Sequence, residues 1–303
     1  MIGSTPRDLL SHFLALLVLV LATSSCLAQE SVDVTEITSH VLVFSTSTGN
    51  VVASVGDDGA LLVGTPSAAS TPQINRILAE HTKSAFRYVV IAPEDAAHSG
   101  GDAGWRQAGA FVAMQENALG RIGGHVMGAP PPLPERFVKL GVDRPRIAFS
   151  EVLTFDLNGD AVHGVRQAPG YSDADALFHF HAAKLVYFGE TFPGDGYPMI
   201  DSKQGGTLSG LLKTLGGWTE PSFHVVPARG KVVTGAELKT FVDMITTVRD
   251  RVQEMIKGGL SEDQVVAKHP TAEFDAAWGH GRVPPEAFVR EVYFRISADT
   301  SVK

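Results

Sequence analysis

Asp95 and His98 lie three residues apart in the stretch Ile91–Gly101, IAPEDAAHSGG, beside a second acid, Glu94. Carboxylate oxygen with imidazole nitrogen is a donor set suited to harder divalent ions such as manganese or iron, and either group can move a proton in catalysis. A plainer reading stands beside this one. His98, just before the Ser99-Gly100-Gly101 turn, can cap a following helix, and Glu94 and Asp95 can be solvated loop acids. His179 and His181 alternate on one strand face beside a hairpin turn, where they can share a metal ion or simply face solvent. His125, His163, His224, His269 and His280 are scattered without ligand spacing, and Gly279-His280-Gly281 reads as a flexible turn carrying an imidazole. No Gly-x-Ser-x-Gly elbow and no phosphate-cradling glycine loop occurs, and isolated Ser, His and Asp residues do not define a triad.

The elements that must carry these residues are legible from hydrophobic pattern and turn chemistry. Val41–Phe44, Asn50–Val55 and Ala60–Val63 read as a meander of strands, with Asp57-Asp58-Gly59 as a turn. Thr71-Pro72 has helix-start chemistry, a capping hydroxyl before a proline, and Ile74, Ile77 and Leu78 make that helix's apolar face. Phe86–Ile91 returns as a strand, 101–109 as a helix and Ala110–Met114 as a strand, an alternation that argues for α/β layers. The Gly- and Pro-rich segment Gly123–Pro145 has no periodicity and reads as a loop. Ile147–Phe155 and Ala161–Arg166 flank Asn158-Gly159-Asp160, a strong hairpin signal; Leu177–Phe180 and Leu185–Phe188 flank a second hairpin. Leu208, Leu211, Leu212 and Leu215 form one helix face. Thr234 with Glu237 is a capping box opening the longest helix, which ends at Gly258-Gly259. Ser261 with Gln264 caps a short helix, and Pro284-Pro285 starts a last one. Two meander-then-helix halves fit a four-layer αββα sandwich of the α/β class.

The N-terminus reads as an export signal: Arg7, the apolar stretch Phe13–Ala22, then Cys26-Leu27-Ala28 before Gln29. That apolar stretch is short of the roughly 20 residues that span a bilayer. The expectation is a periplasmic or secreted protein; acylation at Cys26 after Thr23-Ser24-Ser25 is the competing form. Cleavage after Ala28 leaves 275 of the 303 residues, no cysteine, and enough chain for one large core. The boundaries read as 1–28 signal, 29–40 lead-in, 41–235 main domain and 236–303 a helical part packed on it. A net charge of −8 with no basic run gives no case for nucleic acid, and no later stretch is long and apolar enough to be a transmembrane segment. A small molecule or a protein is the partner class left.

From about Val41 to Ile296 the chain resembles the metallo-β-lactamase superfamily. The resemblance rests on Ser54–Val63 as opening strands, the strand–loop–helix around IAPEDAAHSGG, and Gly189-Glu190-Thr191-Phe192. Gly196–Asp201, Gly205–Leu208, Arg249–Val252, Pro270–Ala272 and Trp278-Gly279 are similar to its exported cyclase-like or quinoprotein-associated branch. That family binds up to two metal ions through a His-x-His-x-Asp-His loop and three later ligands. The resemblance places Pro93, Asp95, Ala97 and His98 at the loop's four ligand positions. Tyr171 then falls at the next histidine, Glu190 at the bridging aspartate and Arg229 at the last histidine. Only His98 is retained in kind. Asp95 and Glu190 keep carboxylates, whereas Pro93, Ala97, Tyr171 and Arg229 offer little or nothing to a metal.

A guanidinium opposes a cation: at 4 Å and an effective dielectric of about 20, unit charges interact by about 4 kcal/mol, and about twice that against a doubly charged ion. The same arithmetic favours Arg229 beside Glu190 or Asp95, so an arginine–carboxylate pair is expected to replace the metal and no cofactor is expected. The leading expectation is therefore a pseudoenzyme, non-hydrolytic, whose cleft binds a small molecule or a partner. Two other readings stay open. One is a hydrolase of a lactam, lactone, thioester or phosphodiester with a single manganese, iron or zinc ion on Asp95, His98 and Glu190. The other is a metal-free enzyme using Glu190 or Asp95 as base while Arg229 holds an anionic substrate.

Overall fold

A computed structural model describes residues 31–64, 67–84, 87–91, 105, 109–121 and 147–301 of the chain. Seven strands form one sheet in sequential order: β1 Asp33–Thr38, β2 Val41–Ser45, β3 Asn50–Gly56, β4 Gly59–Val63, β5 Arg87–Ile91, β6 Phe111–Gln115 and β7 Ile147–Phe149. The first four run antiparallel and the last three add in parallel. Six strands form the second sheet: β8 Val152–Leu157, β9 Asp160–Arg166, β10 Ala176–Phe180, β11 Leu185–Tyr187, β12 His224–Val226 and β13 Val233–Thr234. Their order is β13-β12-β11-β10-β9-β8, and only β11 and β12 are parallel.

Helix α1 (Thr71–His81) follows β4, and α2 (Glu116–Arg121) follows β6. The C-terminal third supplies α3 Leu208–Gly216, α4 Gly235–Lys257, α5 Glu262–Val266, α6 Asp275–Trp278 and α7 Pro285–Ser301. The expected capping box on α4 is present: Thr234 Oγ1 accepts from the Glu237 N–H, and Glu237 returns a bond to the Thr234 N–H. At α1 the cap is Ser70 rather than Thr71, whose hydroxyl instead donates to the Ser67 carbonyl.

Three apolar clusters separate four layers. Val43, Val52, Leu61 and Val90 from the first sheet meet Phe155, Phe178, Phe180 and Leu185 from the second. The first sheet's other face, with Leu42, Phe44, Leu62 and Val89, packs on Ile74 and Leu78 of α1 and on Trp105. Beyond the second sheet, Leu177, Val186 and Val225 are covered by α3, α4 and α7 through Leu211, Phe241, Ile245 and Phe288. This is the expected αββα sandwich. Each such side chain taken out of water contributes about 1.5–3 kcal/mol.

Three expectations change. The apolar run Ile147–Phe155 is two strands in different sheets, because the chain turns at exposed Ser150-Glu151 and crosses over. The lead-in contains β1, an edge strand whose exposed faces give no burial pattern to read. The short strands β12 and β13 and helix α2 are also additions, too brief to show a period. The expected loop Gly123–Pro145 and all but Trp105 and Gly109 of the expected helix at 101–109 lie outside the described residues.

Two buried asparagines pin one sheet to the other. Asn158 and Gly159 adopt φ of 54° and 76°, the paired left-handed geometry of a tight hairpin between β8 and β9. From that tip Asn158 donates to Ser54 Oγ (3.1 Å) and the Gly59 carbonyl (3.1 Å), and it accepts from the Asp58 N–H. Gly56 permits this: a Cβ there would stand 2.6 Å from Asn158 Oδ1. Asn50, opening β3, makes the second clamp. Its Nδ2 donates to the carbonyls of Pro227 (3.0 Å) and Gly230 (2.9 Å), and its N–H to that of Ala228 (2.7 Å).

Candidate functional site

Glu190 and Arg229 come from the ends of two neighbouring strands. Glu190 lies in the 3₁₀ turn Gly189–Thr191 after β11, and Arg229 in the turn after β12, parallel to β11. Parallel neighbours put both residues at the same edge of the sheet, and the Asn50 clamp fixes the Arg229 turn from the opposite sheet. Ends of parallel strands are where α/β folds place ligands.

The pair is bidentate. Arg229 Nη1 donates to Glu190 Oε1 at 2.6 Å and Nη2 to Oε2 at 3.0 Å, while Nε donates to Asp195 Oδ2 at 2.8 Å. The Glu190 side chain is 7% exposed and that of Arg229 15%. Burial pulls the Arg229 guanidinium down, but the bonds and charges of Glu190 and Asp195 outweigh it and leave the group above its ordinary value. Arg282 adds a second guanidinium, donating from Nη2 to Glu190 Oε2. Its side chain is 48% exposed, so it faces water on its outer side. Two arginines and two acids thus meet with no net charge, around a cavity of about 60 Å³ that Tyr197 and Met199 also line. That is room for a few waters, far short of the roughly 300–1,000 Å³ of a small-molecule pocket.

Asp195 and Arg282 are the members that sequence reasoning missed. Arg282 sits between α6 and α7, beside the segment read as a flexible Gly-His-Gly turn. Gly281 is instead a point of backbone contact: a Cβ there would come within 2.7 Å of the Asp195 carbonyl and of Gly196 Cα. The only usable signal was the glycine itself, one residue before an arginine.

A buried carboxylate ties the 170–172 loop to the turn that carries Glu190. Asp175 accepts from the N–H groups of Gly170 (2.9 Å), Tyr171 (2.7 Å) and Ser172 (2.8 Å), and from Thr191 Oγ1 (3.1 Å). Burial pushes its carboxyl up, and the backbone donors pull it back part of the way. Tyr171, itself buried, is thereby tied to the residue that follows Glu190. Tyr187 lies fully buried at the end of β11, its hydroxyl pushed up by burial and then by the Glu190 charge.

Pro93, Asp95, Ala97 and His98 lie outside the described residues, so of the seven expected positions the structure places Tyr171, Glu190 and Arg229. It joins Glu190 to Arg229 directly, and it links the Tyr171 backbone through Asp175 to Thr191, the residue after Glu190. Among the described residues no group of three or more His, Cys, Asp and Glu side chains is arranged to hold a metal ion. Glu190 does not fit a metal as it stands, because both its oxygens accept from guanidinium groups where a cation would need them.

The histidines form a separate group. His179 is half-buried against Trp218 and Phe223 (ring centres at 4.8 and 5.7 Å), and His181 is exposed at the turn. His163 is not isolated: it stands across from His179 in the β9–β10 register. Burial, then the neighbouring His181, hold the His179 ring down at about 4.

No family model matches the chain, and no curated protein does. Solved structures do. A metallo-β-lactamase from Pontibacter korlensis aligns over 71% of this chain and 99% of its own, with a TM-score of 0.55 and 13% identity. The DIM-1 metallo-β-lactamase covers 72% and 98% at a TM-score of 0.55 and 10% identity. The stereoselective inverting sec-alkylsulfatase Pisa1 from Pseudomonas sp. covers 90% of this chain at a TM-score of 0.60 and 12% identity, while the chain spans 52% of that larger protein. Identities this low speak for architecture, and with two mixed sheets between helical layers they show that this chain has the metallo-β-lactamase fold.

Proposed function

We propose that this is an exported, non-hydrolytic protein in which an arginine–carboxylate cluster has taken the place of a metal centre. The roughly 60 Å³ among the described residues holds water only, so a small molecule or a partner protein is proposed to bind outside it, on the side where Arg282 faces solvent. The observation that supports this most is the bidentate Arg229–Glu190 pair, reinforced by Arg282. A metal ion on Glu190 would have to displace two guanidinium groups and then sit beside them, at about 8 kcal/mol of repulsion for each at 4 Å. Glu190 as a general base is opposed by the same bonds, since both its oxygens are engaged. The fold by itself is neutral on function.

The test is metal content of the mature protein after dialysis, followed by a panel of lactam, lactone, thioester and phosphodiester substrates with and without added metal. The expected result is far less than one equivalent of zinc, manganese or iron, and no turnover. Stoichiometric metal with turnover that disappears in His98→Ala would overturn the proposal in favour of a one-metal hydrolase. Chelator-resistant turnover lost in Arg229→Ala would overturn it in favour of a metal-free enzyme. Intact mass of the same preparation tests export, with a chain beginning at Gln29 expected and a lipid on Cys26 the competing outcome.

A further inference from the structure

His179 lies under a cover made of aromatic rings, in a place separate from the Glu190–Arg229 cleft. Residues 217–223 join α3 to β12 and carry Trp218 and Phe223 over the outer face of the second sheet. Ring centres stand 4.8 Å apart for His179 and Trp218, 5.7 Å for His179 and Phe223, and 5.2 Å for Trp218 and Phe223. Behind them lies buried Phe188, with its ring 6.5 Å from that of Trp218. On the other side His179 meets His181 at 4.0 Å, and His163 stands across from it on β9.

The cover and its base are built differently. Asp160, buried at the start of β9, accepts from the N–H groups of Ala182 (2.7 Å) and Ala183 (3.2 Å) and so fixes the turn that carries His181. His163 is held by Thr154 Oγ1 at 2.9 Å. The cover instead starts at Gly216-Gly217, both exposed. A Cβ on Gly216 would meet nothing within 4 Å, and one on Gly217 only the Thr214 carbonyl at 3.8 Å. Two open glycines in succession leave the backbone free to turn. The far end is anchored, because the Gly235 N–H donates to the Phe223 carbonyl at 3.2 Å and Gly235 packs against the Glu220 backbone. The part able to move is therefore 217–219, with Trp218 at its middle, held to the sheet by ring packing.

We propose that Trp218 is an acid-released cover, which protonation of His179 lifts off the second sheet to bare the aromatic surface beneath it. An imidazolium under an indole is cut off from water, and lifting Trp218 returns the water. His181 and His163 add like charge as they protonate, which admitted water screens. Asp160 attracts the ring, but its oxygens are already bonded to the turn. The surrounding elements add Lys184 of the turn, Glu220 of the cover and His224 of β12, all exposed. Burial first, then His181, hold the covered ring at about 4 against 6.5 in water. The open form therefore takes up the proton first. The ratio of covered to open protein is constant above pH 6.5 and falls towards pH 4, by up to about thirtyfold between pH 7.5 and 5.

The test is acrylamide quenching of the purified protein, with the spectrum of Trp218→Phe subtracted to isolate Trp218 from Trp105 and Trp278. At pH 5 Trp218 should be several-fold more accessible than at pH 7.5, reversibly and with unchanged far-ultraviolet dichroism. His179→Gln should flatten that response. Hydrogen exchange of the wild type, corrected for its intrinsic pH dependence, gives a reading that needs no variant. The Trp218 amide, bonded to the Leu215 carbonyl at 3.1 Å, should lose protection at pH 5 while amides of β10 and α4 keep theirs. Unchanged accessibility would overturn the proposal, as would a Trp218 that tightens in acid through attraction of the imidazolium for its ring. An acid response that persists in His179→Gln, or one that appears only as α4 also loses protection, would overturn it equally.

Discussion

Arg229 carries a charge that cannot be titrated away at any ordinary pH, and it sits almost buried against Glu190. Removing one partner of such a pair strands the other in a poorly solvated place, at about 3–5 kcal/mol. Arg229→Met is therefore expected to lower stability to urea by about 3 kcal/mol, the low end, because Arg282 still reaches Glu190. Arg282→Met should cost under about 1 kcal/mol, its side chain being half in water. The double variant Arg229→Met with Glu190→Leu should regain most of the loss, since the two charges that lose a partner, Asp195 and Arg282, are partly in water. Arg229→Met without effect on the urea midpoint would show that the pair is not the site's counter-charge. At this scale Arg229 and Glu190 were legible because both departed from a known ligand pattern. Arg282 was not, for its place depends on the approach of Gly281 to Gly196, a contact between distant segments.

Strands and turns hold the cluster in place through single polar side chains. Asn50→Ala removes three bonds at once: two to the carbonyls of the Arg229 turn and one from Ser45 Oγ to Asn50 Oδ1. Carbonyls left buried without a donor cost about 1–3 kcal/mol each. A loss of about 2–4 kcal/mol in chemical denaturation is expected. The loss should be non-additive with Arg229→Met, because both changes act on one turn. An additive double variant would sink the idea that Asn50 positions Arg229. On β10 the expectation concerns pH. His179 titrates at about 4 in the fold against 6.5 when unfolded, so between those values the unfolded chain binds the extra proton. Its contribution is complete above pH 6.5 and is lost as pH falls towards 4, with His181, His163 and Asp160 as the charged and titratable neighbours. Thermal melts of wild type should lose stability relative to those of His179→Gln as the pH falls from about 6.5 towards 4, and the difference between the two should be independent of pH above that window. Strand boundaries were mostly legible from alternation and from Asn158-Gly159. The break at Ser150-Glu151 was not, since a continuous apolar run does not tell which sheet each half joins.

The layered arrangement decides whether the helices after residue 235 are an appendage or part of the fold. Leu238, Phe241, Ile245, Val248 and Val252 of α4 are buried in one cluster with Leu177, Val186 and Val225 of the second sheet. Phe288, Val289 and Val292 of α7 join the same cluster. The helix periodicity of both segments was plain in the sequence, but which sheet face they cover was not, because an apolar stripe does not name its partner. At about 1.5–3 kcal/mol each, these eight helical side chains carry about 12–24 kcal/mol, as large as or larger than the margin of about 5–15 kcal/mol that keeps a domain folded. A chain ending at Thr234 should therefore fail to fold, leaving the outer face of β10, β11 and β12 open to water and prone to association. By the same argument, calorimetry of the purified protein should show one cooperative transition. Two separated transitions, or a soluble truncated chain with native near-ultraviolet dichroism, would mean that the sheets are stable without their helical cover. The Arg229–Glu190–Arg282 cluster ties these levels together, since Arg282 reaches the sheet edge from between α6 and α7. Loss of the C-terminal helices would then strip the site of its second guanidinium as well as its support.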